Sequence, residues 1–491
     1  MASWASKLVR TKPLAADDTE HGDKTLERTL GVFPLAMIGV GSTIGTGIFF
    51  TMAEAVPKAG PAVILSFLLA ALTAGLTALC YSELAFRVPA SGSAYSFAYA
   101  SLGEFTAFAV AACLLLEYGL AASATAIGWS DYLNNFLQNA VGWRIPDALH
   151  TPMLVLGEKG TEFHPGQFNL PPVVLVLLCG ILLAHGTRES AYANTALVLV
   201  KLAVLTFFFA VAFTSFDAKN FTPLFNTDNS KGLAGWTGVT AAAGTVFFSF
   251  IGLDTVATAG AEVKEPRRNL PLGILIALVV VTAFYLLVAL AALGAQPASK
   301  FQGQEAGLAV ILQNVTGRTW PAIVLSGGAV ISVFSVTLIT IYGQTRILHA
   351  ISRDGLVPEV FNRVNPRTRT PIANTAIVCV IVGLVAGTVD SNYLWDMVSM
   401  GTLTAFIIAA IAVPVLRRRD EATVPPVHGT GFRVPFGPWL VPVLSALSCL
   451  FIMKDLSTLT FQVFGVWMAV AMLVYFTYGV RHSRLNLRGP A

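Results

Sequence analysis

Charged residues are scarce in this chain of 491 residues: only 12% are Asp, Glu, Lys or Arg, whereas 55% are hydrophobic. A soluble domain carries about twice that charged fraction. Apolar runs of roughly 20 residues, enough to cross a hydrocarbon core about 30 Å thick, recur from one end of the sequence to the other. The composition therefore excludes an ordinary soluble protein and predicts an all-α polytopic membrane protein.

Cysteine is also rare, and its placement excludes further kinds of site. The five cysteines all fall in apolar runs without Cys-x-x-Cys spacing, so neither a disulfide framework nor a metal site is expected. No nucleophile stands beside a base, and we expect no catalytic residue, no enzyme activity and no cofactor. Residues 1–30 are polar and lack a short apolar core, which argues against a removable signal peptide.

Twelve apolar runs are predicted to span the membrane. Residues 137–170 are the largest segment outside the membrane. Their composition is consistent either with a loop that folds over the outer mouth of the protein or with a disordered connection. Only Asp390-Ser391 separates the ninth and tenth runs, so a tight turn must join them. The predicted spans are 32–55, 61–86, 104–136, 171–186, 191–214, 235–259, 270–293, 320–351, 372–389, 392–416, 437–453 and 458–480.

The basic residues give the orientation. With a cytoplasmic N-terminus, 22 of the 31 Lys and Arg residues fall in inside segments, eight fall in outside segments and Lys201 lies within a span. This bias predicts that both termini are cytoplasmic. The net charge of +4 then reflects membrane topology, and we expect the lipid bilayer, not a nucleic acid, as the partner of this surface.

Four glycines interrupt the first predicted span, within residues 39–49. Glycine costs about 1 kcal/mol relative to alanine in a helix. One interpretation is a packing face of small residues. The other is a break in the helix, because backbone freed at membrane depth must line a cavity or find other partners. Free N–H groups at such a break suit a carboxylate.

A second interruption lies in the sixth predicted span, where Gly252 and Asp254 follow an apolar run. Alone it is also consistent with a kink or a close helix contact, although a break is favoured. Two breaks in matching spans, however, are typical of the central site of a transporter. We expect an α-amino acid zwitterion there, with its carboxylate at the amides of Gly45, Thr46 and Gly47. Its ammonium group would meet carbonyl groups near Thr43, Phe248, Ser249 and Ile251.

Two ionisable residues lie deep in apolar runs. Lys201 is near the middle of the fifth span, so its ammonium group should face the protein interior. It either pairs permanently or, because burial favours the neutral amine, loses and regains a proton during transport. Glu117 in the third span is either a proton partner or a fixed brace. Glu83 and Asp254 lie closer to span ends, where bracing is favoured.

Three groups of motifs carry a family resemblance. They are residues 41–49; residues 59–62 with 81–84 and 89–95; and residues 343–346 with 353–358. Together they resemble the amino acid, polyamine and organocation superfamily, and most closely its cationic amino acid transporter branch, of bacterial type. The likeness extends over residues 26–480.

The resemblance implies a LeuT-type fold of two inverted five-helix repeats with two further C-terminal helices. The segments are a cytoplasmic N-terminus (1–31), the repeats (32–214 and 235–416), the last two spans (437–480) and a cytoplasmic tail (481–491). It also implies proton-coupled uptake of an L-amino acid across the bacterial inner membrane, with Lys201 as the coupling residue and Phe248 as a gate. It leaves open whether a small single-span accessory protein binds.

Several alternatives stay open at this stage. The chain has Ala261 where the branch usually carries the first of two acids, which puts a cytoplasmic gating contact in doubt. An exchanger that swaps an amino acid for a polyamine or another amino acid would share the fold. The sequence does not decide between a small neutral and a cationic substrate. A channel is disfavoured because the two breaks are asymmetric and lie within one chain.

Overall fold

The computed structural model describes residues 10–12, 30–45, 47–88, 93–157, 160–184, 191–226, 233–258, 263–304, 306–365, 368, 370–422 and 432–486. Helices dominate, and most predicted spans correspond to a helix whose ends differ by only a few residues. The helices are α1 (Val32–Thr43), α2 (Gly47–Ala59), α3 (Val63–Arg87), α4 (Ser93–Ser101), α5 (Glu104–Val141), α6 (Leu170–Ala184), α7 (Ala191–Ala212), α8 (Trp236–Phe247), α9 (Thr255–Thr258), α10 (Pro266–Ala295), α11 (Gly307–Thr316), α12 (Trp320–Arg353), α13 (Ile372–Thr388), α14 (Ser391–Ala422), α15 (Leu440–Met453), α16 (Thr458–Val474) and α17 (Val480–His482).

Seven helical stretches of the described chain are long and apolar enough to cross a membrane. Five further apolar helices, among them α1 and α6, are shorter. The chain is therefore a multi-pass membrane protein. The seven long stretches are Gly47–Arg87, Glu104–Val141, Thr195–Ser215, Arg268–Ala295, Trp320–Arg353, Tyr393–Arg419 and Thr458–His482.

Close helix packing sets the centre of the molecule. Helix α5 packs along α12 and α14, and α10 packs along α1 and α3. Small side chains at the contacts allow this, since Ala107, Ala111, Ala122 and Ala126 of α5 are all buried. Small residues let helix backbones approach closely where lipid removes the hydrophobic drive for association. The packing places the short helices α1, α2 and α8 inside a frame of longer ones.

The segment between α5 and α6 is folded against the helical body. It contains an antiparallel hairpin of β1 (Leu154–Gly157) and β2 (Gly160–Phe163). The backbone N–H of Asp390 donates to the carbonyl of Leu154 at 3.0 Å, which fastens the hairpin to the turn between α13 and α14. This favours the ordered alternative for residues 137–170. The tight turn at Asp390-Ser391 is confirmed, because α13 ends at Thr388 and α14 begins at Ser391.

Candidate functional site

The first predicted break is present. Helix α1 ends at Thr43 and α2 begins at Gly47, with Ile44 in an extended conformation between them. The last helical hydrogen bond runs from the Ile44 N–H to the Val40 carbonyl at 2.8 Å. The amides of Gly45 and Gly47 donate no hydrogen bond to another described residue. Gly47 is the first residue of α2, and free N–H groups at a helix N-terminus attract anions. Thr46, the third predicted carboxylate contact, lies outside the described residues.

The second predicted break is also present. Helix α8 ends at Phe247, a 3-10 turn covers Phe248–Phe250, and the chain is extended at Ile251. Gly252 follows with φ at +103°, a conformation that L side chains rarely adopt. The helix resumes only at Thr255. The sixth predicted span is therefore interrupted where the sequence places its glycine and aspartate.

The two breaks contact each other directly. A Cβ atom added to Gly47 would lie 2.3 Å from the Cα atom of Ser249, so only glycine permits this approach. The hydroxyl of Ser42 donates to the Gly252 carbonyl at 2.8 Å. A Cβ atom on Gly252 would lie 2.8 Å from the Ser42 carbonyl oxygen. Contact between the two breaks thus explains Gly47 and Gly252. Gly39 instead packs closely against Ala277 of α10 and Val256 of α9, so the packing interpretation holds for that glycine.

Tyr285 of α10 joins the two breaks from the side. Its hydroxyl lies 2.8 Å from the Thr43 carbonyl oxygen and 2.6 Å from the Ser249 carbonyl oxygen. The side chain is fully buried. A hydroxyl has one hydrogen to donate, so it satisfies one of the two carbonyl groups at a time. The carbonyl groups of Thr43 and Ser249, both predicted to meet an ammonium group, therefore lie around the same hydroxyl. Each can still accept a further hydrogen bond.

Lys201 lies on α7 and is 1% exposed. Its ammonium nitrogen donates to the Gly41 carbonyl at 3.0 Å. In an unbroken helix that carbonyl would accept the N–H of Gly45, so the break is what makes it available. The negative end of the α1 dipole adds to the attraction for a cation. The predicted inward orientation of Lys201 and its link to the first span are present; its role in proton coupling stays a prediction.

Aromatic side chains cover one side of the breaks. The ring of Phe248 meets that of Trp395 edge to face, with centroids 4.4 Å apart. Phe50 stacks on Trp395, with ring centroids 6.0 Å apart. All three side chains are buried. The predicted gate residue Phe248 thus lies in an aromatic cluster contributed by α2, the second break and α14.

Glu117 and Asp254 lie in a polar cluster beside the breaks. Glu117 is 1% exposed, and its Oε1 atom has no hydrogen-bond partner in the described chain. Asp254 accepts hydrogen bonds from Tyr118 at 3.3 Å and from Ser93 at 3.4 Å. Asp254 is also the charged neighbour of Glu117. This geometry allows both interpretations of Glu117.

Glu83 has a bracing role, as its position predicts. Its fully buried carboxylate accepts from Arg87 Nε at 3.0 Å and from Arg417 Nε at 2.8 Å. Arg417 also donates through its Nη2 atom, and the backbone N–H of Val434 adds a fourth bond at 2.8 Å. This carboxylate therefore ties α3 and α14 to the segment before α15, away from the two breaks.

Sequence reasoning missed two residues of the site, Tyr285 and Trp395. Each is an aromatic residue with one polar group in an apolar helix. This is a weak signal of a binding site, because Tyr and Trp also anchor helices at membrane interfaces. The predicted departure at Ala261 lies outside the described residues. Of the predicted contacts, Thr43, Gly45, Gly47, Phe248, Ser249 and Ile251 are brought together at the two breaks.

Comparison with known proteins identifies the family. A family model described as amino acid permease matches residues 30–478. The methylthioribose transporter of Bacillus subtilis is 39% identical over 483 residues, which cover 98% of this chain and 100% of that protein. The branched-chain amino acid permease BcaP of Bacillus subtilis is 38% identical over 465 residues, 95% of this chain and 96% of the permease. Human cationic amino acid transporter 4 is 32% identical over 429 residues, 85% of this chain and 64% of the human protein. The chain therefore belongs to the amino acid permease family, within the amino acid, polyamine and organocation superfamily, and is a membrane transporter rather than an enzyme.

Proposed function

We propose that this transporter takes up an L-amino acid together with a proton, by alternating access around the two helix breaks. The scaffold is a LeuT-type pair of inverted five-helix repeats followed by two helices, twelve spans in all, in the bacterial inner membrane with both termini cytoplasmic. The observation that carries the proposal is the meeting of the two breaks at membrane depth, since broken helices there are typical of transporter binding sites.

The chemistry of the breaks supports a zwitterionic substrate. The amides of Gly45 and Gly47 at the start of α2 offer donors and a positive helix end to a carboxylate. The carbonyl groups of Thr43 and Ser249 converge near the Tyr285 hydroxyl and offer acceptors to an ammonium group. An α-amino acid presents both groups at once. Methylthioribose, the substrate in the name of one relative, presents neither charge and would leave both sets unused.

The side-chain environment supports an apolar substrate. Phe50, Phe248 and Trp395 present aromatic surface beside the carbonyl group of Ser249. Aromatic and aliphatic groups pack favourably, whereas a cationic side chain would need a carboxylate or strong acceptors. Branched-chain amino acids, the class in the names of the BcaP relatives, meet this requirement.

Coupling to protons is assigned to Lys201. Its ammonium group holds the Gly41 carbonyl in the conformation described here. A neutral amine is a weaker donor, so deprotonation would release the first span from α7 and permit the next step. Glu117 is the proposed second proton carrier because one of its oxygen atoms has no partner in the described chain.

Uptake by purified protein in liposomes that contain no substrate tests the proposal. The panel is leucine, valine, alanine, arginine and methylthioribose, each with and without an inward proton gradient. We expect accumulation of the branched-chain amino acids that collapses when an uncoupler is added. An absolute need for internal amino acid would instead identify an exchanger. Uptake of methylthioribose without any amino acid would refute the zwitterion assignment.

A further inference from the structure

The last turns of α12 carry a stripe of aromatic and basic side chains. Tyr342, Arg346, His349 and Arg353 follow each other at intervals of four, three and four residues, which places them on one helix face. Ile331, three turns earlier on the same face, is 52% exposed, and Tyr342 is 43% exposed. Because α12 is long and apolar enough to cross a membrane, this face contacts lipid.

A third arginine is held beside the stripe by the segment that follows α12. Asn374 donates to the Phe361 carbonyl at 3.0 Å and to the Thr345 carbonyl at 2.9 Å, which fixes this segment against α12. Arg363 is exposed and lies two residues beyond Phe361. Arg346, Arg353 and Arg363 therefore share one end of α12.

Within the part of the chain that the structure describes, these three arginines have no carboxylate as a counter-charge. Among the residues that the structure describes, no carboxylate lies within 4.0 Å of any of them. Arg10 and Arg417 differ, since Arg10 pairs with Glu104 and Arg417 with Glu83. The surface is therefore positively charged and still has its guanidinium donors available.

The height of the stripe matches the lipid headgroups. Helical side chains lean toward the helix N-terminus, which for α12 is the direction of the membrane interior. Arg346 shows this, because its guanidinium carbon lies 4.7 Å from the Tyr342 ring centroid and the group donates to the Tyr342 hydroxyl. Tyrosine is typical of the membrane–water boundary. Arg346 is about 6 Å further along the axis, at the level of the phosphates.

We propose that Arg346, Arg353 and Arg363 bind the phosphate of an anionic phospholipid in the cytoplasmic leaflet. Guanidinium groups match phosphate oxygens with paired hydrogen bonds. A basic cluster directly below a lipid-facing helix is the arrangement that recognises anionic headgroups. Since the site lies on the outer face of α12, away from the two breaks, it is independent of the transported substrate. The lipid would anchor α12 at this end.

Titration of the full-length protein in neutral detergent tests this site. The probes are phosphatidylglycerol, phosphatidylcholine and inorganic phosphate, with binding measured by native mass spectrometry. We expect phosphatidylglycerol to bind most tightly, and Arg346→Gln to weaken it about fivefold. The triple variant that also carries Arg353→Gln and Arg363→Gln should weaken it about 100-fold, while Arg346→Lys keeps more affinity than Arg346→Gln.

Arg318→Gln is the matched control, because Arg318 is exposed at the opposite end of α12 and has no carboxylate within 4.0 Å in the described chain. Equal losses for Arg318→Gln and Arg346→Gln would overturn the proposal, as would unchanged phosphatidylglycerol binding in Arg346→Gln. Binding of inorganic phosphate as tight as that of phosphatidylglycerol would assign the site to a free anion instead. Unfolding temperatures in lipid-free detergent identify any variant that fails to fold, in which case the single substitutions decide.

Discussion

Replacing Lys201 by methionine removes the charge at the first break and keeps most of the side-chain volume. The Gly41 carbonyl then loses the donor that now lies 3.0 Å away. A buried acceptor without a partner costs about 1–3 kcal/mol. We expect the variant to fold and to bind substrate, with affinity lowered by no more than that amount, and to lose proton-driven accumulation.

The size of the effect follows from the gradient. One pH unit is worth about 1.4 kcal/mol per proton, so one proton per substrate supports at most about tenfold accumulation per unit. Wild-type liposomes with an inward gradient of two units should therefore accumulate substrate up to about 100-fold. Lys201→Met should only equilibrate substrate across the membrane.

Lys201→Arg separates charge from proton release. Arginine keeps the positive charge but does not deprotonate in proteins. This variant should hold the Gly41 carbonyl yet fail to accumulate substrate. Accumulation by Lys201→Met at the wild-type level, under the same gradient, would refute the coupling role of Lys201. Normal accumulation by Lys201→Arg would show that release of the proton is not required.

Three further substitutions test other parts of the account. Tyr285→Phe should weaken substrate binding about fivefold or more, measured by thermal shift. The control is Tyr132→Phe, which loses a single bond to the Phe49 carbonyl and should change only stability. Equal losses of affinity in the two variants would contradict the bridging role of Tyr285. Gly47→Ala should abolish substrate binding because its Cβ atom would lie 2.3 Å from the Cα atom of Ser249. Gly465→Ala is the neutral control, since the space around its Cβ position is open. Glu83→Gln should cost about 3 kcal/mol or more in the free energy of unfolding and leave substrate affinity unchanged, so an unaltered unfolding temperature would disprove the bracing role.

The helix breaks could be predicted because they depend on local chemistry. Glycine at membrane depth and an aspartate in an apolar helix disturb the helix through their own properties, without reference to neighbours. The buried position of Lys201 follows from the same reasoning. The sequence also predicts most spans to within a few residues, because the length of an apolar run is set by the bilayer.

The contacts between distant residues could not be predicted. Tyr285 lies 36 residues from Ser249 and 242 residues from Thr43, yet its hydroxyl lies within hydrogen-bond distance of both carbonyl groups. Only the packing of α10 against α1 and α3 brings them together. The position of Asp254 beside Glu117 depends in the same way on tertiary structure. The strands Leu154–Gly157 and Gly160–Phe163 are too short to be predicted from sequence, and β1 is held by a contact with the distant Asp390.

A structure of the protein with bound leucine tests the central claim most directly. The account predicts the leucine carboxylate within hydrogen-bond distance of the Gly45 and Gly47 amides, and its ammonium group at the Thr43 and Ser249 carbonyls. Density for leucine away from both breaks, or bound with its carboxylate on a side chain alone, would contradict the account.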